Sequence, residues 1–359
     1  MDLDYSSAKR SNIMSTIMLT IIFTISIIST LTINPIANTD PIGAGAMLRS
    51  GVDARALGMG GAYVAIANNY SAAYWNPAGV TRAEPIYLGG MNMDKFGVGL
   101  NLNYISGGLS PGKLSLIEPV SLPGFEESII EDFSISGTYM GFSTNVRASN
   151  PSGNPVGVIT YSERTYMGTT GFQLPVLGSV GGSIKLYRFR APNAGVDGKN
   201  AEANGLGFDL GFLTEPLDNF WIAAAGFDLT GTEIKWDNTP SEPTNIAPSR
   251  YSAGAAYELN LVNLPIPGAV AGEAIFSGQY TFGANVENKI KTGFEYSLSV
   301  VALRGGLVKT IDGALEFAAG AGLKLNILKA DVAWVQNKTI EGQNTSDTIV
   351  LSTEFSFSL

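Results

Sequence analysis

The side chains that could carry chemistry in this chain are carboxylates and basic groups, because the sequence holds 31 Asp and Glu and 22 Lys and Arg residues but no His and no Cys. Without His or Cys there can be no Ser-His-Asp or Cys-His catalysis, no thiolate metal site and no disulfide. Chemistry based on carboxylates alone remains open. Because the usual catalytic and metal-binding side chains are missing, we nevertheless predict that the protein is not an enzyme and has no catalytic residues, no metal site and no cofactor.

One glycine-rich string could be compared with a phosphate-binding turn. Gly58-Met59-Gly60-Gly61 begins like the G-x-G-x-x-G fingerprint, but Tyr63 stands where the third glycine belongs. No strand-like segment precedes the string, as that fingerprint requires. We therefore do not expect nucleotide binding here.

Charged residues recur at positions that alternate with apolar ones, as where Glu295 lies between Phe294 and Tyr296. In a strand this spacing puts the charges on one face and the apolar residues on the other. If the sheet closes into a tube, the charged face lines the lumen. The charges then either line a substrate path or pair with one another across the wall as structural ladders. The lumen-lining candidates are Asp209, Asp228, Glu295, Arg304, Glu316, Lys324, Lys329, Asp331 and Glu354.

The alternation with a period of two predicts an all-β fold from residue 85 onward. It is clearest at the C-terminus, where Ile349, Leu351, Phe355 and Phe357 share one face. A soluble sandwich would bury such faces in a dry core, whereas an outer-membrane barrel turns them towards lipid. Alternation alone does not separate the two.

Three features favour a transmembrane antiparallel β-barrel. The runs are longer than the ~5 to 6 residues common in soluble sheets. Links of two lengths alternate, with short ones near Glu215–Asp218, Leu298–Ser299 and Asn326–Ile327. The chain also ends on a strand with an aromatic-rich face, as many bacterial barrels do. The long links lie near Arg190–Asn204, Gly231–Arg250 and Asn337–Asp347.

The alternating segments number about fourteen, and an even number allows a barrel with both ends on one side of the membrane. Before Val180 the pattern leaves alternatives open: Ile86–Tyr104 is either one kinked strand or a hairpin around Asp94-Lys95, and Phe125–Ile130 could form a helix. The segments are Ile86–Tyr104, Phe133–Val146, Pro155–Arg164, Thr169–Val176, Val180–Phe189, Gly205–Leu213, Phe220–Thr230, Arg250–Leu259, Val270–Thr281, Val286–Leu298, Ser299–Val308, Ala314–Asn326, Ile327–Gln336 and Thr348–Leu359.

Composition agrees with a protein that shows apolar surface to something other than water. Hydrophobic residues make up 45% of the chain, charged residues only 15%, and glycines number 43. The net charge is −9, so the chain lacks the basic footprint of a nucleic-acid-binding protein. We expect outer-membrane lipid as a partner and no nucleic acid.

The N-terminus predicts export. Lys9 and Arg10 precede the uncharged run Ile13–Ile33, and Ala44-Gly45-Ala46 offers small residues for a signal peptidase. We interpret residues 1–46 as a signal peptide, although the run is also long enough for a retained membrane anchor. Either interpretation sends the remaining chain out of the cytoplasm, and the barrel places it in the bacterial outer membrane.

The stretch "GVDARALGMGGAYVAIANNYSAAYWNPAGV" (Gly51–Val80) resembles the N-terminal signature of the PorV/PorQ (UPF0164) families, which belong to the FadL-like outer-membrane transport group. Later pieces such as "NGLGFDLGFL" (Asn204–Leu213) and "GAGLKLNILKADVAW" (Gly320–Trp334) are similar to the group more loosely. The resemblance implies a hatch or plug at residues 47–84 inside a barrel at residues 85–359. The alternative is a cap on the end of the barrel.

In the hatch that the resemblance implies, glycines allow close backbone packing, a short helix fills the lumen, and a turn leads into the first strand. The residues matched to these roles are Gly58, Gly60, Gly61, Ala72, Ala73, Tyr74, Trp75, Asn76, Pro77, Ala78 and Gly79.

Two functions follow from the resemblance. The first is hatch-controlled diffusion of small hydrophobic molecules across the outer membrane. The alternative is a PorV-like role in protein secretion or surface attachment, with secreted or surface proteins as partners. A soluble exported sandwich, such as an adhesin, is a third hypothesis.

Overall fold

The computed structural model of the chain describes residues 45, 47–95, 99–120, 128, 130–149, 154–261, 272–283, 285–311, 313–337 and 347–357. The predicted signal peptide and the helix considered at Phe125–Ile130 fall almost wholly outside these residues. Short helical turns occur at Met47–Arg49, Ala54–Gly58, Ala72–Trp75, Pro77–Arg82 and Val196–Gly198. Within the described part of the chain, no helix has the length and hydropathy needed to cross a membrane.

The rest of the described chain is dominated by sixteen strands. Their bounds are β1 (Ile86–Lys95), β2 (Leu100–Leu109), β3 (Asp132–Ser149), β4 (Pro155–Leu174), β5 (Gly178–Ala191), β6 (Ala201–Leu217), β7 (Phe220–Phe227), β8 (Thr232–Asp237), β9 (Thr244–Ala247), β10 (Arg250–Asn260), β11 (Glu273–Phe282), β12 (Lys289–Leu298), β13 (Val301–Thr310), β14 (Leu315–Leu325), β15 (Leu328–Val335) and β16 (Thr348–Phe357).

Fourteen of these strands form a closed antiparallel ring. Each strand from β1 to β7 pairs with the next, β7 pairs with β10, and β10 to β16 pair in sequence. The ring closes between β1 and β16, with Ile86 opposite Phe357 and Met93 opposite Val350. The predicted barrel of about fourteen strands is confirmed, and a sandwich of two facing sheets is wrong.

Of the two alternatives for Ile86–Tyr104, the hairpin around Asp94-Lys95 is confirmed, with β1 and β2 as its strands. Two other predicted assignments were wrong. Pro155–Arg164 and Thr169–Val176 belong to one strand, β4, because the inward and outward alternation continues through residues 165–168 without a break. The extra strand from the hairpin and the merger in β4 cancel, so the total stays at fourteen. The second wrong assignment is the predicted loop Gly231–Arg250, which contains the hairpin β8–β9, whose Thr232 and Ile234 are buried.

The two ends of the barrel differ. We name the end where β1 begins and β16 ends the proximal end, and the opposite one the distal end. The short links predicted from the sequence all lie at the proximal end, and the long ones at the distal end. The pattern is incomplete, however, because the long link from Leu109 to Asp132 is also proximal.

The wall is taller on one side at the distal end. Strands β3, β4, β5 and β6 have 18, 20, 14 and 17 residues, whereas β7 has eight. The distal part of β6, at residues 202–205, pairs with β8 instead of β7. The hairpin β8–β9 thus continues the tall wall beyond the level at which β7 ends.

Side chains divide cleanly between the two faces of the wall. In β16 the outward residues Leu351 and Phe355 are exposed, while the inward Ser352 and Glu354 are buried. An apolar exterior around a polar interior is the arrangement of barrels that span membranes. The buried apolar residues of the molecule come mainly from residues 48–83 and from inward side chains of the wall.

Candidate functional site

The N-terminal segment at residues 47–83, named here the lumenal segment, crosses the inside of the barrel. Its backbone N–H at Ala54 donates to Oγ of Ser352 on β16 at 3.2 Å. Its N–H at Val64 donates to Oε1 of Gln279 on β11 at 3.0 Å. Asn76 Nδ2 donates to the carbonyl of Phe212 on β6 at 3.1 Å. Since these strands lie on different sides of the ring, the segment is placed within the lumen and not over one end.

Glycines on the segment and on the wall let the two backbones touch. Gly60 and Gly61 have φ of +65° and +69°, a conformation that favours glycine. A Cβ on Gly58 would lie 3.1 Å from the Cα of Gly320, and a Cβ on Gly306 would collide with the backbone of Gly60. The small residues therefore act at both surfaces of the contact.

Residues Ala72–Trp75 form one turn of α-helix that carries two large rings into the lumen. The rings of Tyr74 and Trp75 meet edge to face with centroids 5.1 Å apart. Trp75 Nε1 donates to the carbonyl of Val52 at 3.1 Å, and the Tyr74 hydroxyl accepts from the N–H of Gly51 at 3.1 Å. The helix is thereby fixed against the start of the segment.

The turn after this helix leads the chain to β1. Asn76 Oδ1 accepts the N–H of Ala78 at 3.1 Å and so caps the 3-10 helix Pro77–Arg82. Inward-facing Gly181 and Gly211 leave room for this turn, since a Cβ on either would collide with it. All eleven residues that the resemblance matched to the hatch are buried: Gly58, Gly60, Gly61, Ala72, Ala73, Tyr74, Trp75, Asn76, Pro77, Ala78 and Gly79.

Asp53 organises the middle of the segment, although sequence reasoning did not select it. It is fully buried with φ of +73° and caps the helix Ala54–Gly58. Its carboxylate accepts from Asn69 Nδ2 at 2.6 Å, from Ser71 Oγ at 3.1 Å and from Ser352 Oγ at 3.1 Å. One carboxylate thus joins two parts of the segment to the wall.

Arg55, also not selected from the sequence, connects the segment to three candidate residues. Its Nε and Nη2 each donate to the Glu295 carboxylate at 2.8 Å. Arg304 Nε donates to the same carboxylate at 2.5 Å, and its Nη1 donates to Asp331 at 2.7 Å. Burial opposes the charge of Arg55, but Glu295 outweighs it and raises the pKa of the guanidinium. Burial also raises the pKa of the adjacent Tyr63.

A second ionic cluster lies on β5, β6 and the turn after β7. Lys185 Nζ lies 2.8 Å from both the Asp209 and the Asp228 carboxylates. Asp228 also accepts from the Tyr187 hydroxyl at 2.9 Å. A cavity of about 40 Å³ adjoins this cluster and has Asp209 and Asp228 in its wall.

The remaining candidates lie apart from these two clusters. Lys329 Nζ donates to Glu354 at 2.8 Å, and Glu354 accepts the backbone N–H of Tyr70 at 3.1 Å. Lys324 Nζ donates to Ser297 Oγ at 3.2 Å. Glu316 lies in the wall of a large cavity. Seven of the nine candidates therefore pair with an opposite charge of the protein, as the ladder alternative expects. Lys324 contacts a serine, and Glu316 borders the large cavity.

The large cavity, named here the vestibule, has a volume of about 840 Å³ and lies at the distal side of the lumenal segment. Leu57, Gly61 and Trp75 belong to its lining on the segment side, and the distal ends of β1 and of β10 to β16 contribute to its wall. Apolar side chains such as Met93 and Val308 face it together with charged ones.

Cations outnumber carboxylates in the vestibule wall. Lys291 Nζ lies 5.5 Å from the centre of the Trp75 ring, and the guanidinium of Arg250 lies 4.3 Å from the centre of the Phe227 ring. Lys289 pairs with Glu287 at 3.1 Å. The five cations are Arg49, Lys95, Arg250, Lys289 and Lys291, and the two carboxylates are Glu287 and Glu316.

One signal in the sequence could have found the missed residues of the segment. Asp53 and Arg55 are the charged residues of Gly51–Val80, an otherwise uncharged stretch, and buried charges need partners. The vestibule cations carried no such signal, because they come together only when distant strands are placed side by side. Within the described residues, no group of three or more acidic side chains is arranged to hold a metal ion.

These features define a class of protein: a closed fourteen-stranded antiparallel β-barrel whose lumen contains its own N-terminal segment. The same fold occurs in a FadL homologue of Pseudomonas aeruginosa, with a TM-score of 0.51, 11% identity, and coverage of 85% of this chain and 98% of that one. It occurs in the CymD monoaromatic hydrocarbon channel, with a TM-score of 0.53, 11% identity, and coverage of 86% and 98%.

A third solved structure, the deltaS2S3 mutant of the TodX monoaromatic hydrocarbon channel, has a TM-score of 0.51 at 10% identity and covers 86% of this chain and 99% of that one. At such identities the likeness establishes a FadL-type fold. No protein-family model and no curated protein sequence matches the chain. The finer PorV/PorQ resemblance therefore rests on the sequence signature alone.

Proposed function

We propose that this chain is a channel of the bacterial outer membrane that passes small hydrophobic molecules when its lumenal segment moves. In this proposal residues 1–46 are the export signal, residues 47–84 are the hatch and residues 85–359 are the barrel. The distal end, with its tall wall, faces the outside of the cell. Two proteins of the same fold, CymD and TodX, are described as monoaromatic hydrocarbon channels.

The observation that supports the proposal most strongly is the vestibule that ends on the lumenal segment. A molecule that enters from the distal end meets Leu57, Gly61 and Trp75, which belong to the lumenal segment and not to the wall. The polar contacts between the segment and the wall are hydrogen bonds and ion pairs, which can break and reform. Displacement of the segment would therefore open a path without any change in the barrel.

The vestibule also indicates which molecules the channel accepts. Met93, Trp75 and Val308 offer apolar surface, and the five cations around them favour a molecule that also bears a negative group. We therefore extend the proposed substrates from small hydrophobic molecules in general to those with an anionic end.

A removable tether across the lumen tests the proposal. Arg55 and Glu295 face each other across the boundary between the segment and the wall, so R55C/E295C can be joined by a short reducible bis-thiosulfonate reagent. We expect uptake of labelled toluene and decanoate by cells that lack other such channels to fall about tenfold with the tether and to recover after its reduction.

The matched control is a tether where no movement is needed. Thr81 Oγ1 and Ser179 Oγ lie 2.7 Å apart beside the start of β1, so T81C/S179C should form a disulfide and leave uptake unchanged. The channel proposal is wrong if uptake through the tethered R55C/E295C protein equals uptake through the reduced form.

The second candidate function is a PorV-like role in protein secretion or surface attachment. The hairpin β8–β9 favours it, because this hairpin extends the tall distal wall and gives a partner protein an exposed surface. Replacement of residues 232–247 by a short glycine-serine link should abolish co-purification of surface proteins while substrate uptake persists. Uptake lost together with co-purification would instead indicate a damaged barrel, and unchanged co-purification would exclude the hairpin as the partner surface.

A further inference from the structure

The outer surface of the tall wall changes abruptly from apolar to cationic. In the register of β3 to β6, Tyr139 lies opposite Tyr166, Tyr166 opposite Leu186, and Leu186 opposite Leu206. This apolar row is exposed or partly exposed on the outside of the barrel, and the two tyrosine rings pack with centroids 5.5 Å apart. It forms the distal boundary of the apolar belt on these strands.

The next row towards the distal end contains two arginines side by side. Arg164 of β4 lies directly opposite Arg188 of β5, and Gly141 and Asn204 flank them on β3 and β6. Both arginines are exposed on the outer face. The step from the apolar row to this row is one repeat of the strand, or about 7 Å.

Like charges directly opposite each other destabilise a strand pair unless an anion lies between them. Within the described residues neither Arg164 nor Arg188 has a carboxylate within salt-bridge distance. Glu163 is buried on the other face, where it accepts from the Tyr161 hydroxyl. Glu202 faces Arg190 instead, at 3.6 Å. The charge of this pair is thus left for a group outside the chain.

We propose that Arg164 and Arg188 bind the phosphate group of a lipid in the membrane leaflet around the distal end. Two guanidinium groups on neighbouring strands match a phosphate, which accepts several charge-assisted hydrogen bonds. The acyl chains of the same lipid would lie against Tyr166, Leu186 and Leu206. This adjacency of an apolar row favours a lipid over a free anion.

The site is distinct from the vestibule. The vestibule lies inside the barrel among β1 and β10 to β16, whereas this pair lies outside on β4 and β5. The proposal therefore does not depend on channel activity, and it can fail or succeed independently of the proposed function.

Native mass spectrometry of the delipidated barrel in detergent tests the proposal with two probes that share their acyl chains. Dioleoylphosphatidylglycerol carries the phosphate, and dioleoylglycerol does not. We expect the former to bind the wild type, and R164Q/R188Q to weaken that binding about tenfold. Dioleoylglycerol should bind both proteins equally weakly.

The matched control neutralises two other exposed cations of the tall wall. Arg147 lies on β3 further towards the distal end, and Lys235 lies on β8 opposite Asn204, where Glu233 is 3.3 Å from its ammonium group. R147Q/K235Q changes the net charge by the same amount and should bind phosphatidylglycerol like the wild type. Equal weakening in the two variants would overturn the proposal in favour of general electrostatic attraction.

The unfolding temperature gives an independent test, because the sign of the difference between R164Q/R188Q and the wild type should depend on whether the lipid is present. In lipid-free detergent R164Q/R188Q should unfold at the same temperature as the wild type or higher, because the repulsion is gone. In phosphatidylglycerol nanodiscs it should unfold at a lower temperature than the wild type. The lipid assignment would be overturned if R164Q/R188Q unfolded at a lower temperature than the wild type in both media. It would also be overturned if inorganic phosphate stabilised the wild type in detergent as much as the lipid does.

Discussion

At the scale of single residues, glycine has two unlike uses in this wall. Inward-facing glycines such as Gly306 allow the backbone of the lumenal segment to reach the strand, whereas a Cβ on outward-facing Gly305 would meet nothing within 4 Å. The two residues are neighbours in sequence and share a strand. Their difference comes entirely from the face on which each lies.

This contrast predicts the effects of two substitutions. Gly306→Ala should lower the free energy of unfolding by about 1–3 kcal/mol, because the new methyl group collides with Gly60 and the segment has to shift. Gly305→Ala should change it by less than about 0.5 kcal/mol. Both free energies of unfolding can be measured by urea unfolding in detergent micelles, with the folded fraction monitored by the gel mobility of unheated samples. Equal effects would contradict the close packing of Gly60 on β13.

At the scale of elements, the strands are longer on one side of the barrel than local sequence signals indicate. β4 runs unbroken through Thr165 to Gly168, where Gly168 faces outward. The predicted interruption there arose because a glycine and polar residues interrupt the apolar pattern. In the structure the pleat continues, since Thr165 and Met167 point into the lumen.

The continuity of β4 predicts a sharp difference between two changes at one position. Gly168→Pro should prevent assembly of the heat-modifiable barrel, because proline removes a hydrogen bond from a strand that is paired on both sides. Gly168→Ala should assemble normally, since its Cβ would meet nothing within 4 Å. A proline variant that assembles with wild-type mobility would indicate that residues 165–168 form a link between two strands.

At the scale of the whole molecule, the apolar exterior and the occupied interior require each other. A closed ring of fourteen strands is too wide to fill with wall side chains, so a separate segment occupies its lumen. Ion pairs and small residues hold that segment, while apolar side chains cover the outside of the wall. The outer face of the wall is thus apolar where the surface of a soluble protein is polar, and the buried apolar residues of the molecule lie in the lumen beside charged groups.

This inversion predicts where a new charge is costly. Phe208→Lys places an ammonium within the apolar belt of β6 and should lower the free energy of unfolding by about 2–4 kcal/mol in lipid vesicles. Val158→Lys, on the tall wall of β4 beyond the belt, should have an effect below about 0.5 kcal/mol. Both wild-type residues are exposed, at 45% and 66%. Equal effects in vesicles would contradict a membrane boundary between these positions.

The sequence by itself determined the class of fold and which segment adjoins the barrel, but it left open whether that segment fills the lumen or caps one end. Alternation is a local property of each strand, so the polar face that carries Glu295 and Glu354 could be assigned before any pairing was known. The small residues of Gly51–Val80, directly before the first strand, likewise indicated a compact segment near the barrel.

Only the tertiary structure decided which groups meet. Arg55 and Glu295 are 240 residues apart, and Arg164 faces Arg188 because of the register of two strands. A shift of the register by one residue would turn each of these side chains to the other face. Because the ring closes, the registers of all its strands depend on one another. Register is therefore a property of the whole chain and cannot be predicted from any local pattern.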